Sequence, residues 1–256
     1  MSSNFNFTDI QTHWAQECIR QLAQRQFVSG YPDGSFRPDA PVTRAEFAAL
    51  VRKAFPNVPP VRSPITFKDV PVGHWAVQVI QAVYQAGFLS GYPDRTFKPN
   101  QPIPRVQALV ALVSGLQYQA NATSSELNKY FEDAAQIPAY AVNAIAAATQ
   151  RYLVVNYPNV RRLTPNQNAT RGEVAALICR ALKLPGVPLQ YVVGMDFVVI
   201  QPQFDQASSF AEGLARVQVG NQWGYINQQG KFVMQPQFEE ANPFTEGLAL
   251  VRRHLG

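Results

Sequence analysis

The chain has 256 residues, 46% of them hydrophobic and 15% charged, an ordinary globular content with too few charges for a coiled coil or a polyampholyte tail. The formal net charge of +5 suits an acidic partner, whether wall polysaccharide, nucleic acid or anionic lipid. It suits a bare solubility preference equally, so charge alone selects no function.

From the N-terminus, MSSNFNFTDIQTHW lacks the basic n-region and apolar core of a signal peptide. No apolar run reaches the ~20 residues of a membrane span, so no membrane insertion is expected. One template then recurs three times. It runs first as FTDI (Phe7 to Ile10), HWA (His13 to Ala15) and SGYPDGSFRPDAPVTRAE (Ser29 to Glu46). The second copy is FKDV (Phe67 to Val70), HWA (His74 to Ala76) and SGYPDRTFKPNQPIPRVQ (Ser90 to Gln107). The third is worn: FEDA (Phe131 to Ala134), AYA (Ala139 to Ala141) and VNYPNVRRLTPNQNATRGE (Val155 to Glu173). Boundaries rich in Pro or in small polar residues lie at 56–64, 118–125 and 184–188.

Each copy reads as helix, long turn, helix. Trp14, Cys18 and Leu22 with Ala15, Ile19 and Ala23 form an i, i+4 stripe, matched by Trp75, Val79, Val83 and by Tyr140, Ala144, Ala148. Tyr31-Pro32-Asp33-Gly34 has the residues of a β-turn. Thr43 to Glu46 and Thr170 to Glu173 fit the capping box, whereas Pro104 and Gln107 break it in the second copy. The second helices offer Phe47, Leu50 and Val51, then Val106, Leu109 and Val110, then Val174, Leu177 and Ile178 to a core. One such unit buries too little alone, so three are expected to share a core. The fold class is therefore mainly α: three helix-loop-helix repeats in a pseudo-threefold bundle, with a small antiparallel β C-terminal repeat segment.

Beyond residue 187 the pattern turns strand-like. QPQF at 201–204 returns at 235–238 and EGLA at 212–215 returns at 246–249. Leu214 to Val219 and Trp223 to Asn227 flank Gly220-Asn221, and Phe232 to Met234 follows Gln229-Gly230, as in β-hairpins. Cys18 and Cys179 fall on apolar helix positions. Small buried thiols are the usual meaning there, and pairing requires their two helices to touch.

The FxDv, HWA, SGYPDGtFrP and TRAE series resembles the S-layer homology domain. Repeat 1 spans 1–64, repeat 2 spans 65–125 and a divergent repeat 3 spans 126–186. Residues 187–256 are similar to WG repeats, named for Trp223-Gly224, with one repeat complete and partial flanks at 194–204 and 238–256. The resemblance implies non-covalent binding to a polysaccharide linked to bacterial peptidoglycan, often carrying an acidic pyruvate ketal. It places the protein in the cell envelope, wall or periplasm, with WG repeats as binding modules of undefined ligand class, proteins among the candidates. The missing signal peptide keeps open an intracellular protein-interaction scaffold instead.

Candidate glycan-binding residues follow from the motifs. Arg44, Arg105 and Arg171 each begin a second helix, where a cation opposes the helix dipole. An anion gripped by free helix amides and a forked guanidinium accounts for that choice; the competing reading pairs each Arg with its own unit's acid, Asp9 or Asp69. Trp14 and Trp75 can stack on a sugar or anchor the core. Asp33 and Asp94 can bind a hydroxyl or stabilise their turn. Gly30 and Gly91 permit positive φ and close backbone approach. The third unit has Asn156, Asn159 and Tyr140 at the corresponding Gly, Asp and Trp positions, so the pockets rank first, second, third for retained binding.

An enzyme is not expected. The histidines are His13, His74 and His254, and no nucleophile elbow, metal-ligand spacing or phosphate-binding loop occurs. No catalytic residue, metal or cofactor is assigned, and nucleic-acid binding rests on net charge alone.

Overall fold

The computed structural model describes residues 7–195, 204–227 and 230–253. His254, most of the 201–204 motif and Gln229 of the expected turn lie outside the described residues. The chain divides into two compact units, Met1–Met195 and Asp196–Gly256. Residues 187–195, assigned to the WG segment by composition, thus fold with the helical unit.

The helical unit contains α1 (Gln16–Gln24), α2 (Arg44–Ala54), α3 (Val77–Gln85), α4 (Arg105–Gly115), α5 (Ser124–Leu127), α6 (Val142–Gln150) and α7 (Arg171–Ala181). Short 3-10 turns occupy Ala134–Gln136, Ala139–Ala141 and Leu189–Tyr191. In the HWA motif the histidine ring binds the backbone just ahead of the first helix. His13 Nδ1 accepts from Ala15 N–H, and His74 Nδ1 accepts from Ala76 N–H, both at 3.1 Å. Thr43 and Thr170 form complete capping boxes with Glu46 and Glu173, while Pro104 gives α4 no side-chain cap. A further box, Thr123 with Glu126, starts α5 inside the second linker.

The three units close into a ring. Val42 N–H donates to Ala169 O, Ala169 N–H to Ile103 O and Ile103 N–H to Val42 O, at 3.0, 2.8 and 2.9 Å. These are the residues before each second helix, so three backbone hydrogen bonds encircle a pseudo-threefold axis. Around it each second helix packs on the first helix of the next unit: α2 on α3, α4 on α6 and α7 on α1. The core is shared, with Phe47, Ile103, Leu109, Ile145 and Ile178 all buried in one cluster. Leu50 and Val110 pack against it only partly buried. Cys18 on α1 and Cys179 on α7 are joined in a disulfide, Cα atoms 6.2 Å apart. The expectation of two separate thiols is thereby corrected: the ring brings first and third units into contact.

The second unit has β1 (Gln206–Ala207), β2 (Leu214–Val219), β3 (Gln222–Asn227) and β4 (Phe232–Phe238) in one antiparallel sheet, order β1-β2-β3-β4. A second sheet pairs β5 (Glu240–Ala241) with β6 (Val251–Arg252). The pairings Gln206↔Gln218 and Ala207↔Val217 return 34 residues later as Glu240↔Arg252 and Ala241↔Val251. Side chains of β3 alternate between two small cores, Ile226 with Val217 and Phe232, and Tyr225 with Phe238 and Phe244. Gly224 of the WG pair sits where β4 bulges toward it; a Cβ there would stand 2.6 Å from Met234 O.

Candidate functional site

Each SGYPD-type loop is a tight excursion fastened at both ends by its own unit. Tyr92 N–H donates to Thr96 O, and Asp94 Oδ1 accepts from Thr96 N–H and its hydroxyl. Asp69 accepts from Phe97 N–H and Lys98 N–H, one bond per oxygen, at 2.8 and 2.7 Å. Asp9 does the same for Phe36 and Arg37, and Asp133 for Leu163 and Thr164. The leading Asp therefore anchors a loop and does not pair with its own unit's arginine. Asp33 bonds Ser35 and pairs with Arg37 at 2.9 Å, which holds its carboxyl well below the usual carboxylate range.

Folding the loop this way presents two backbone carbonyls to the neighbouring unit, where an arginine meets them. Arg44 donates from Nε to Phe97 O and from Nη2 to Ser90 O, both at 2.7 Å, and from Nη1 to Gln107 Oε1 at 3.2 Å. Its guanidinium also lies over the Phe97 and Tyr92 rings. Arg171 repeats the contact on the first unit, Nε to Phe36 O and Nη2 to Ser29 O. Arg105 reaches Leu163 O, Val155 O and Asn156 Oδ1 on the third. All three are buried, Arg44 to 4% exposure. The pairing of each arginine with its own unit's acid is thus replaced by a cross-unit grip.

The expected free helix amides are also corrected. Arg44 N–H donates to Gln101 O, Ala45 N–H to Pro99 O and Glu46 N–H to Thr43 Oγ1. The N–H groups of Arg105, Val106, Arg171 and Gly172 are likewise taken by neighbouring carbonyls. These helix starts serve unit-to-unit joining, and the guanidiniums rather than the amides define the sites.

Every site is therefore composite. The Arg44 groove contains the Ser90-Gly91-Tyr92 loop of the second unit and Tyr140 of the third, around a cavity of about 210 Å³ that also takes Arg62 and Gln107. Tyr140 is 64% exposed, yet partial burial raises its hydroxyl pKa, with the Tyr92 phenol a smaller cause. In the Arg105 groove, Trp14 occupies the place of Tyr140. It stacks on Tyr157 at 5.2 Å and meets Tyr191 edge-on. Residues 191–193 bond along this loop, through Asn156 N–H to Tyr191 O and Val193 N–H to Val154 O, so the chain itself covers the groove. Arg105 is further paired with Glu173 at 2.6 Å. In the third interface Arg171 lies over Tyr31; Trp75, which holds the place of Tyr140 in the second repeat, is 63% exposed.

Ranking pockets by unit fails for this reason: the worn third loop faces Arg105, while Arg171 faces the intact first loop. Gly30 and Gly91 have no positive φ. They are glycine because a Cβ would lie 2.4 Å from the Phe7 ring and 2.2 Å from the Phe67 ring. Tyr92, Tyr140, Arg62 and Gln107 join a groove that motif reading did not assign to them. Arg62 was hidden in a Pro-rich linker, and the others emerge only when units face one another.

Among the described residues no His, Cys, Asp and Glu group could hold a metal ion, and no helix is long and apolar enough to cross a membrane. The model of the S-layer homology domain matches residues 6–48, 66–109 and 130–175, and that of the WG containing repeat matches 198–223 and 223–253. The chain is 32% identical over 181 residues to an amylopullulanase of Thermoanaerobacterium thermosulfurigenes, covering 70% of this chain and 10% of that protein. It is 36% identical over 118 residues to a cellulosome-anchoring protein of Acetivibrio thermocellus, covering 44% of this chain and 26% of the other. To a surface-layer 125 kDa protein of Lysinibacillus sphaericus it is 24% identical over 172 residues, 66% of this chain and 14% of that one. The chain thus spans about a tenth to a quarter of the length of these relatives.

Proposed function

Because this chain belongs to the S-layer homology domain family and carries its triplet, we propose that the helical unit anchors the protein to the cell envelope. It does so without covalent bonds, by holding an acidic polysaccharide linked to peptidoglycan. The observation that carries this reading is the recurring buried guanidinium between two units, with Tyr140 of the third unit lining the Arg44 groove. Arginine remains a cation at neutral pH even where burial lowers its pKa, as it does for Arg44. A sugar carboxylate fits the charge, and its ring face fits Tyr140 or Trp75. The names of the anchoring and surface-layer relatives point the same way.

The Cys18–Cys179 disulfide favours the envelope over an intracellular scaffold, since such bonds persist in oxidising compartments. Protein contacts of the WG unit belong to the same proposal, and Leu248 and Leu250 stand exposed there.

Sedimentation with isolated wall sacculi tests the reading. The protein is expected to pellet with sacculi that keep their attached polysaccharide and to stay in solution with stripped ones. Equal retention on both would remove the polysaccharide as ligand.

A further inference from the structure

The helix ends of the third unit carry more positive charge than the fold asks of them. Arg151 is the C-cap of α6, Arg180 lies in the last turn of α7, and Lys183 follows the C-cap of that helix. A helix C-terminus favours a nearby cation through its dipole, yet the second unit does without one. Ala86, Ser114 and Gln117 hold the same three places on α3 and α4. The first unit has Arg25, Lys53 and Pro56 there, and Arg25 folds back on Gln21 through two hydrogen bonds.

In the third unit the three cations line one cavity of about 680 Å³, together with Tyr118 and Tyr152 and with none of the helix-start arginines. Arg180 is half-buried and donates from Nε to Tyr152 O at 2.8 Å; burial lowers its pKa without discharging it. Arg151 lies over the Tyr118 ring, 4.5 Å from its centroid. Among the described residues no acid pairs with these three cations, and none lines the cavity. Two helix ends, at roughly half a negative charge each, offset about one of the cations and leave about two unanswered. A carboxylate answers one charge, whereas a phosphate group brings roughly −1.5 to −2 and three acceptor oxygens. Tyr118 also lines an adjoining cavity of about 570 Å³, which takes the side chains of Gln117, Gln119, Asn121 and Asn143. Primary amides donate to and accept from hydroxyls. Asn143 spends only its Oδ1, on Ala122 N–H, and keeps its amino group for a ligand.

We propose that this surface is a second binding site, for a sugar phosphate. The phosphate seats among Arg151, Arg180 and Lys183, and the sugar lies across Tyr118 with its hydroxyls toward the amide-lined cavity. A phosphorylated wall polymer and a free phosphorylated sugar both present that chemistry. The site lies apart from the helix-start arginines and does not depend on what they hold.

The test uses the full chain as wild type, Arg151→Gln/Lys183→Gln and Asn121→Ala, all at exposed residues. Inorganic phosphate, glucose 6-phosphate and glucose are titrated at constant ionic strength against the Arg151 and Arg180 Nε–Hε resonances. Phosphate should shift both, glucose 6-phosphate should bind several-fold tighter, and glucose alone should shift neither. The double variant, read at Arg180, should bind both phosphates at least about tenfold more weakly with an unchanged unfolding midpoint, having lost two charge-assisted partners. Asn121→Ala should weaken glucose 6-phosphate and leave inorganic phosphate as it was. Resonances indifferent to phosphate, or phosphate binding undiminished in the double variant, overturn the site. Equal affinity for the two phosphates overturns its sugar half. Retention on polysaccharide-bearing sacculi separates the sources: a loss in the double variant assigns the phosphate to the wall polymer. Unchanged retention beside weakened phosphate binding assigns it to a free sugar phosphate. Wild-type protein that binds phosphate but no sacculi defeats the wall reading and leaves this site standing.

Discussion

Cys18 and Cys179 lie 161 residues apart in sequence and are bonded across the α1–α7 contact, where the third unit meets the first. The bond closes covalently a ring that backbone hydrogen bonds already close at the axis. Crosslinking so long a segment restricts the unfolded chain, and losing a native disulfide typically costs about 2–5 kcal/mol. Denaturant unfolding of the Cys18→Ala/Cys179→Ala variant should show a loss in that range, and reductant should lower the wild-type midpoint but not the variant's. A wild-type midpoint indifferent to reductant would count against the bond.

Among the described residues, Arg105 and Glu173 alone pair a buried arginine with an acid, at 4% and 14% side-chain exposure. Removing one partner of such a pair strands the other and costs on the order of 3–5 kcal/mol. Arg105→Ala should therefore destabilise more than Arg44→Ala, which strands neutral carbonyls only. Arg105→Met with Glu173→Gln should recover part of the loss. Equal effects of the two alanine variants in urea unfolding would contradict the pairing.

The turn carboxylates give a pH signature. Hydrogen bonds from Ser35, then the Arg37 pair, lower Asp33; bonds from Thr96 lower Asp94. A group depressed in the folded state favours folding above its unfolded pKa of about 3.9, and that contribution fades as pH falls through the lower folded value. Carbon-detected NMR titration should find both midpoints below about 3.9, with Asp33 the lower. Ser35→Ala should move Asp33 back upward. A midpoint near 3.9 for wild-type Asp33 would show that the turn does not hold its carboxylate.

Repeats, helices and caps were legible because each is local. The i, i+4 stripe placed Cys18, Ile19 and Leu22 correctly, and Thr43 with Glu46 named a cap that exists. Arg44 stands out in the sequence as a cation at a helix start, but its partners lie on the next unit. A ring that puts Phe97 O and Ser90 O within its reach has no signature in one repeat. Cys179 meeting Cys18, and Tyr191 covering Trp14, depend on the same closure. Trp14 itself was open to a core or a sugar-stacking role from its stripe position, and it is ring contacts from a distant segment that occupy it.

Gly91 separates two explanations of a motif glycine. A Cβ there would lie 2.2 Å from the Phe67 ring and 2.9 Å from Thr96 O, whereas Gly73 has nothing within 4 Å. Overpacking of this kind typically costs about 1–3 kcal/mol, and an open site stays within about 0.5 kcal/mol. Gly91→Ala should therefore lower the unfolding midpoint and Gly73→Ala should not. Phe67→Leu should relieve only part of the Gly91→Ala loss, because the Thr96 carbonyl belongs to a loop fastened by Asp69 and Asp94. If the glycine instead served only close approach of a ligand, Gly91→Ala would be as stable as Gly73→Ala and would weaken retention on sacculi alone. Thermal unfolding of both variants beside the retention assay distinguishes the two, because packing against Phe67 acts whether or not a glycan is bound.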